Sequence, residues 1–262
     1  MREKASTATD SRWLGWLIGV VALTLVVAGA TMLVLTWGTP MGDDTSWAQT
    51  VVDLGAALTF STTGAVILSR RPGHLIGWVL AGGGVMTAAR ITLSSYAVYG
   101  AVVAPGVVPY PVEMAVIADA IWFPTLAAGL VVLLATFPDG LLSSRWRKSV
   151  VSYGVAVGVL GVPVTLWREG EVYYLQGFDN PWGRGMPEWL LLANDAAWNS
   201  MIVVILLAIV GLVVRAQKSS GLERQQMKWL TLIAACCRSC SSSTLTPVRR
   251  PPGPEWPGRW WS

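Results

Sequence analysis

"LGWLIGVVALTLVVAGATMLVLT", residues 14–36, runs for more than twenty positions without a charged side chain. At 1.5 Å of rise per residue, a run of that length crosses ~30 Å of hydrocarbon as one helix. The apolar core of a cleaved leader needs only about 7–15 residues. The segment before it is short and basic, with Arg2, Lys4 and Arg12. The stretch reads as a retained first membrane helix, so the rest of the chain is read with lipid as its solvent. Composition agrees. Hydrophobic residues make up 53% of the 262 residues, charged ones 13%, and mean hydropathy is +0.52. A water-soluble domain carries about 25% charged residues. The 15 Trp suit helix ends lying at headgroup depth.

Further apolar stretches lie at 51–68, 75–98, 114–136, 149–167 and 189–214, each near the ~17–25 residues of a spanning helix. A seventh starts at Trp229 and meets Cys236, Cys237, Arg238 and a run of serines after about seven residues. The expected fold is all-α, a polytopic helix bundle with six complete transmembrane helices and a truncated seventh. Its parts are an N-terminal segment (1–13), the six-helix domain (14–214), a basic loop (215–228), the start of a seventh span (229–235) and a disordered or aberrant tail (236–262).

Basic residues orient this bundle. The N-terminal segment and alternate loops hold Arg70, Arg71, Arg145, Arg147, Lys148, Arg215, Lys218, Arg224 and Lys228, twelve Lys and Arg in all, against Arg168 and Arg184 on the other side. The positive-inside rule puts the N-terminus and the twelve in the cytoplasm. The expected location is the inner (cytoplasmic) membrane, crossed many times, with the lipid bilayer as the main partner.

Chemistry is sparse. G-x-S-x-G, H-E-x-x-H and G-x-x-x-x-G-K-[ST] are all missing, and the single His74 lies at the opposite surface from the aspartates. The three cysteines, Cys236, Cys237 and Cys240, form neither a disulfide framework nor a metal quartet. No enzyme activity, metal, cofactor or nucleic acid is expected. "AGGGV" (81–85) suits close helix packing, as small residues do in membranes. The loop 168–188 is long for a connector and rich in aromatics. It reads equally as a functional loop or as an interfacial segment with Tyr173, Tyr174, Phe178 and Trp182 on the lipid surface.

Four ionisable side chains fall within the predicted spans, Asp53, Arg90, Asp119 and Asp195, all in the outer half by helix rise. Such residues are costly in lipid and turn toward the bundle interior. With Asn194 and Asn199 they could line an outward-facing pocket that senses a ligand. The other reading is a structural ion pair that sets helix register, and the residues favour it.

Three cytoplasmic stretches carry a resemblance. They are "ILSRRPGHLIGWVLAGGG" with Arg70, Arg71 and Pro72, "LLATFPDGLLSSRWR" with Pro138, Asp139, Gly140 and Trp146, and "RAQKSSGLERQQMKWL" with Glu223, Arg224 and Gln225. Together, over about residues 10–235, the chain resembles the multi-pass membrane input region of actinobacterial sensor histidine kinases. Leu141 departs from that pattern, which usually has a basic residue there. Ser220 and Glu223 also stand in the relation of a capping box. The resemblance implies an input module of a two-component system, answering an unknown small-molecule or envelope signal, with a homodimer as its candidate assembly. No phospho-acceptor helix or nucleotide lid occurs in the sequence. The change of composition at Cys236 is what a frameshifted or truncated copy of a longer sensor would show, and a natural disordered tail is the alternative. A transport or channel-like protein using the outer Asp/Arg cluster is the second functional class.

Overall fold

The computed structural model describes residues 12–39, 47–137 and 144–218. Helix α1 spans Arg12–Leu35, α2 Trp47–Arg70 and α3 Leu75–Val98, with a π-helical turn Tyr99–Val103 continuing α3. Helix α4 spans Pro111–Leu126 and passes through a π-helical segment, Ala127–Val132, into the short α5, Leu133–Thr136. Helix α6 spans Arg145–Trp167. A small antiparallel hairpin follows, β1 Glu171–Val172 and β2 Leu175–Asp179, and α7 runs from Glu188 to Lys218. The end of α7, from Ala216, belongs to a unit separate from the rest of the described chain.

Among the described residues, five helices are long and apolar enough to cross a membrane: Trp13–Leu35, Ala48–Arg70, Leu75–Val103, Arg145–Trp167 and Glu188–Arg215. The architecture is the expected helical bundle, but six complete spans and a truncated seventh are not what it displays. The predicted fourth span, 114–136, is divided. Pro124 lies inside α4 and cannot donate the backbone bond a helix needs there. The chain then widens into the π-helical segment, an irregularity of the kind that bends helices. The predicted seventh span, 229–235, and the tail 236–262 lie outside the described residues, as do residues 1–11.

Two seams of small residues hold the bundle. Helices α2 and α3 run antiparallel with Ala57, Ser61 and Gly64 facing Ala81 and Gly84. A Cβ on Gly84 would stand 2.5 Å from the Ser61 amide nitrogen, and one on Gly64 would collide with the Ala81 backbone. The two backbones therefore touch, and dispersion replaces the hydrophobic drive that lipid removes. Within "AGGGV", Ala81 and Gly84 meet the neighbouring helix, whereas a Cβ on Gly82 or Gly83 would have no neighbour within 4 Å. The second seam joins α6 to α4 and its π-helical continuation. Gly154, Gly158 and Gly161 lie against Val131, Ala127 and Phe123, so the glycines of one helix accept the irregular surface of the other.

The two ends of the bundle differ. At the arginine end, Pro72–Gly73 turns α2 into α3, and the Trp78 indole donates to the Pro72 carbonyl at 2.9 Å. The Ser144 side chain accepts from the Arg147 amide and caps α6. The Trp146 ring covers Gly211 of α7. Arg215 of α7 donates to the carbonyls of Leu134 and Ala135, 2.7 and 2.9 Å away. A cation at the C-terminal end of α5 meets the negative end of the helix dipole. At the other end, the hairpin folds back over the bundle. Val172, Tyr174 and Leu175 join a core with Ala97, Val98, Ala115, Val116 and Ala118.

Candidate functional site

Arg90 of α3 is the centre of the hairpin end. One of its terminal nitrogens, Nη2, lies 2.9 Å from Asp53 Oδ2 of α2. The other, Nη1, donates to the Tyr174 hydroxyl of the hairpin at 2.8 Å. Asp53 also accepts from Gln49 Nε2 one turn earlier, at 2.9 Å. The Arg90 guanidinium carbon sits 5.5 Å from the centroid of the Trp122 ring of α4, within the range of a cation–π contact. One guanidinium thus ties together two helices, the hairpin and an aromatic ring of a third helix. The pair is largely withdrawn from solvent, with side-chain exposures of 11% for Arg90 and 29% for Asp53. Burial raises the Tyr174 phenol above its ordinary value, against the pull of Arg90, so the neutral phenol is the partner that Arg90 meets.

In the loop 168–188 the four aromatic residues expected at the lipid surface divide, and Tyr174 departs from that expectation. Tyr174 is 8% exposed and turned inward, whereas Tyr173, Phe178 and Trp182 are exposed. Asn180 holds the loop to the end of α6. Its side-chain amide donates to the carbonyls of Leu166 and Arg168, its side-chain oxygen accepts from the Trp182 amide, and its own amide donates to the Gly170 carbonyl. The Arg184 amide closes the same end on the Trp167 carbonyl. Neither Tyr174 nor Asn180 stood out as a site residue in the sequence. The only available signal was the N-P-W-G turn, which marks Asn180 as a turn former.

Two cavities open beside this group. One, of about 420 Å³, is lined by Gln49, Asp53, Arg90, Asp119, Trp122, Tyr173 and Tyr174. The other, of about 490 Å³, lies between α4, α6, α7 and the hairpin, and it shares Asp119, Trp122 and Tyr173 with the first. Among the described residues the Asp119 side chain has no hydrogen bond or ion pair, and it lines both cavities. A third space, of about 20 Å³, is bounded by Arg90, Ser95 and Tyr174 and has the volume of about one water. Arg90 Nε and Ser95 Oγ, both buried, have no hydrogen-bond partner among the described residues.

The predicted site residues therefore separate. Asp53, Arg90 and Asp119 come together. Asp195 does not: its side chain is exposed on α7 and lines none of these cavities. Its backbone carbonyl accepts from Asn199, and Asn194 is half-buried on the same helix. Helical rise gave Asp195 the right depth but not the right azimuth. Arg70, Arg71, Pro72 and Trp146 lie at the arginine end, where Arg70 and Arg71 are exposed. Pro138, Asp139, Gly140, Glu223, Arg224 and Gln225 lie outside the described residues. Among the described residues, no three His, Cys, Asp or Glu side chains gather as a metal site needs. Compared with family models, curated proteins and solved structures, the chain matches none.

Proposed function

We propose that this chain is the membrane-embedded input module of a bacterial two-component-type sensor, receiving its signal at the hairpin end. In this reading the N-terminus and the arginine end face the cytoplasm, and the hairpin faces out from the inner membrane. The divided run 111–136 also crosses the bilayer as a bent sixth span, since at roughly 1.5 Å per residue it is long enough. Residues 229–235 begin a seventh.

One observation carries the reading. Arg90 links α2, α3 and the hairpin through direct bonds, so a disturbance at the outer surface acts at once on two helices that reach the arginine end. The resemblance of the three cytoplasmic stretches to sensor kinases supports it. Transport is the second reading, favoured by the charged group at the outer end. Against it, the contact between α2 and α3 inward of that group is closed by Ala57, Ser61, Gly64, Ala81 and Gly84 at backbone distance, which offers a solute or proton no polar route along that seam.

The test is transmission. In a variant with Cys236, Cys237 and Cys240 changed to Ser, spin labels at Ser69→Cys and Ser149→Cys report the distance between the arginine ends of α2 and α6 in liposomes. A sensor should shift that distance when Asp53→Asn loosens the outer group. An unchanged distance with proton or cation leak through the same liposomes would move the assignment to transport.

A further inference from the structure

The cavity of about 490 Å³ is of the size that holds small organic ligands. Its wall has two chemical components. Four aromatic rings, Trp122, Phe123, Tyr173 and Trp198, line it, and Phe123 and Trp198 stand edge to face with centroids 4.8 Å apart. Three carboxylates, Asp119, Glu169 and Glu171, line it against one guanidinium, Arg168. Among the described residues, none of the three carboxylates is in an ion pair. The guanidinium next door, Arg90, is already committed to Asp53 and Tyr174.

We propose that this cavity binds a small organic ammonium ion. The excess of negative charge selects a cation, and the rings select an organic ammonium over a metal ion. A quaternary or primary ammonium gains on aromatic faces what a strongly hydrated metal cation would lose in dehydration. Trp122 already meets one cation in this protein, the Arg90 guanidinium. The inference deepens the sensor reading and rests on it for its consequence. Asp119, Trp122 and Tyr173 belong to both cavities, so an ammonium held there alters the field at the Arg90–Asp53 pair. The same ammonium chemistry is available from a free amine outside the cell or from a phosphatidylethanolamine headgroup.

The full chain in maltoside detergent, titrated calorimetrically with choline, tests this. Choline should bind at least tenfold more tightly than its neutral isostere 3,3-dimethylbutan-1-ol. Asp119→Asn should lose that preference, while Asp195→Asn, outside the cavity, should keep it. Thermal unfolding of each variant checks that it is folded. Equal binding of choline and the isostere by the unaltered chain, or no binding of either, overturns the proposal whatever the variants do. In nanodiscs, weaker choline binding when phosphatidylethanolamine replaces phosphatidylglycerol identifies the headgroup as the source. Unchanged binding identifies a free amine. Choline binding without any change in the spin-label distance keeps the cation site and removes the sensor reading. A distance change on Asp53→Asn without choline binding does the reverse.

Discussion

At Arg90 a single guanidinium decides whether the hairpin end is stable. Burying two charges is costly, and their attraction compensates only when the remaining donors also find partners. Here Nη1 and Nη2 do, on Tyr174 and Asp53, while among the described residues Nε does not. Removing one member is therefore worse than removing both. Asp53→Leu leaves Arg90 buried with half of its partners, and should cost about 2–4 kcal/mol, somewhat under the figure for a fully buried pair because Asp53 keeps some exposure. Arg90→Leu combined with Asp53→Leu should cost less than Asp53→Leu alone. Unfolding of these two variants and of Arg90→Leu alone by sodium dodecyl sulfate, followed by circular dichroism, gives the double-mutant cycle. Strictly additive losses would show that the pair does not set stability. Sequence spacing brought Arg90 and Asp53 to one depth, and so suggested the pair. It could not place Tyr174, because the hairpin that delivers the phenol is set by Asn180 bonding to the end of α6, a contact between residues 12 and 14 positions apart.

Helix pairing rests on backbone approach rather than on apolar side chains, which lipid satisfies equally well. The three glycines of "AGGGV" are alike in sequence and unlike in place. Gly84 faces the α2 backbone, while Gly82 has no neighbour within 4 Å of a built Cβ. Gly84→Val should force α2 and α3 apart and cost about 1–3 kcal/mol by overpacking. Gly82→Ala should be neutral or stabilising by up to about 1 kcal/mol, since Ala favours a helix over Gly. The two midpoints in a thermal melt check this directly, and equal effects at both positions would mean that the seam is not close-packed. Helix existence was legible from apolar run length alone, because lipid leaves the backbone few other ways to satisfy its hydrogen bonds. The division of 111–136 was less so. Pro124 was visible, but a proline in a membrane helix can be absorbed by its neighbours. Only the facing glycines of α6, with Gly158 against Pro124 and Ala127, reveal where the bend is accepted.

For the whole molecule, orientation is the property on which every functional statement depends. Charge distribution and contacts bear on it differently. Lys and Arg counted by loop are the basis for proposing that the arginine end faces the cytoplasm, but not all of those charges are simple anchors. Arg215 spends its guanidinium on the carbonyls of Leu134 and Ala135, and Arg147 is buried, with its Nε donating to Ser144 Oγ. Arg70, Arg71, Arg145 and Lys148 stay exposed at that end and are left to meet lipid headgroups and water. The hairpin end offers exposed Gln176 on β2 as its counterpart. In the variant with Cys236, Cys237 and Cys240 replaced by Ser, a membrane-impermeant maleimide should label Gln176→Cys in intact cells. Ser149→Cys should label only after lysis, because the bilayer stands between it and the reagent. Neither position lies in a cavity or a helix seam, so both variants should fold as the parent does. Labelling of Ser149→Cys in intact cells would invert the bundle. It would put the Arg90 group on the cytoplasmic side and remove the physical basis for an outward-facing receptor.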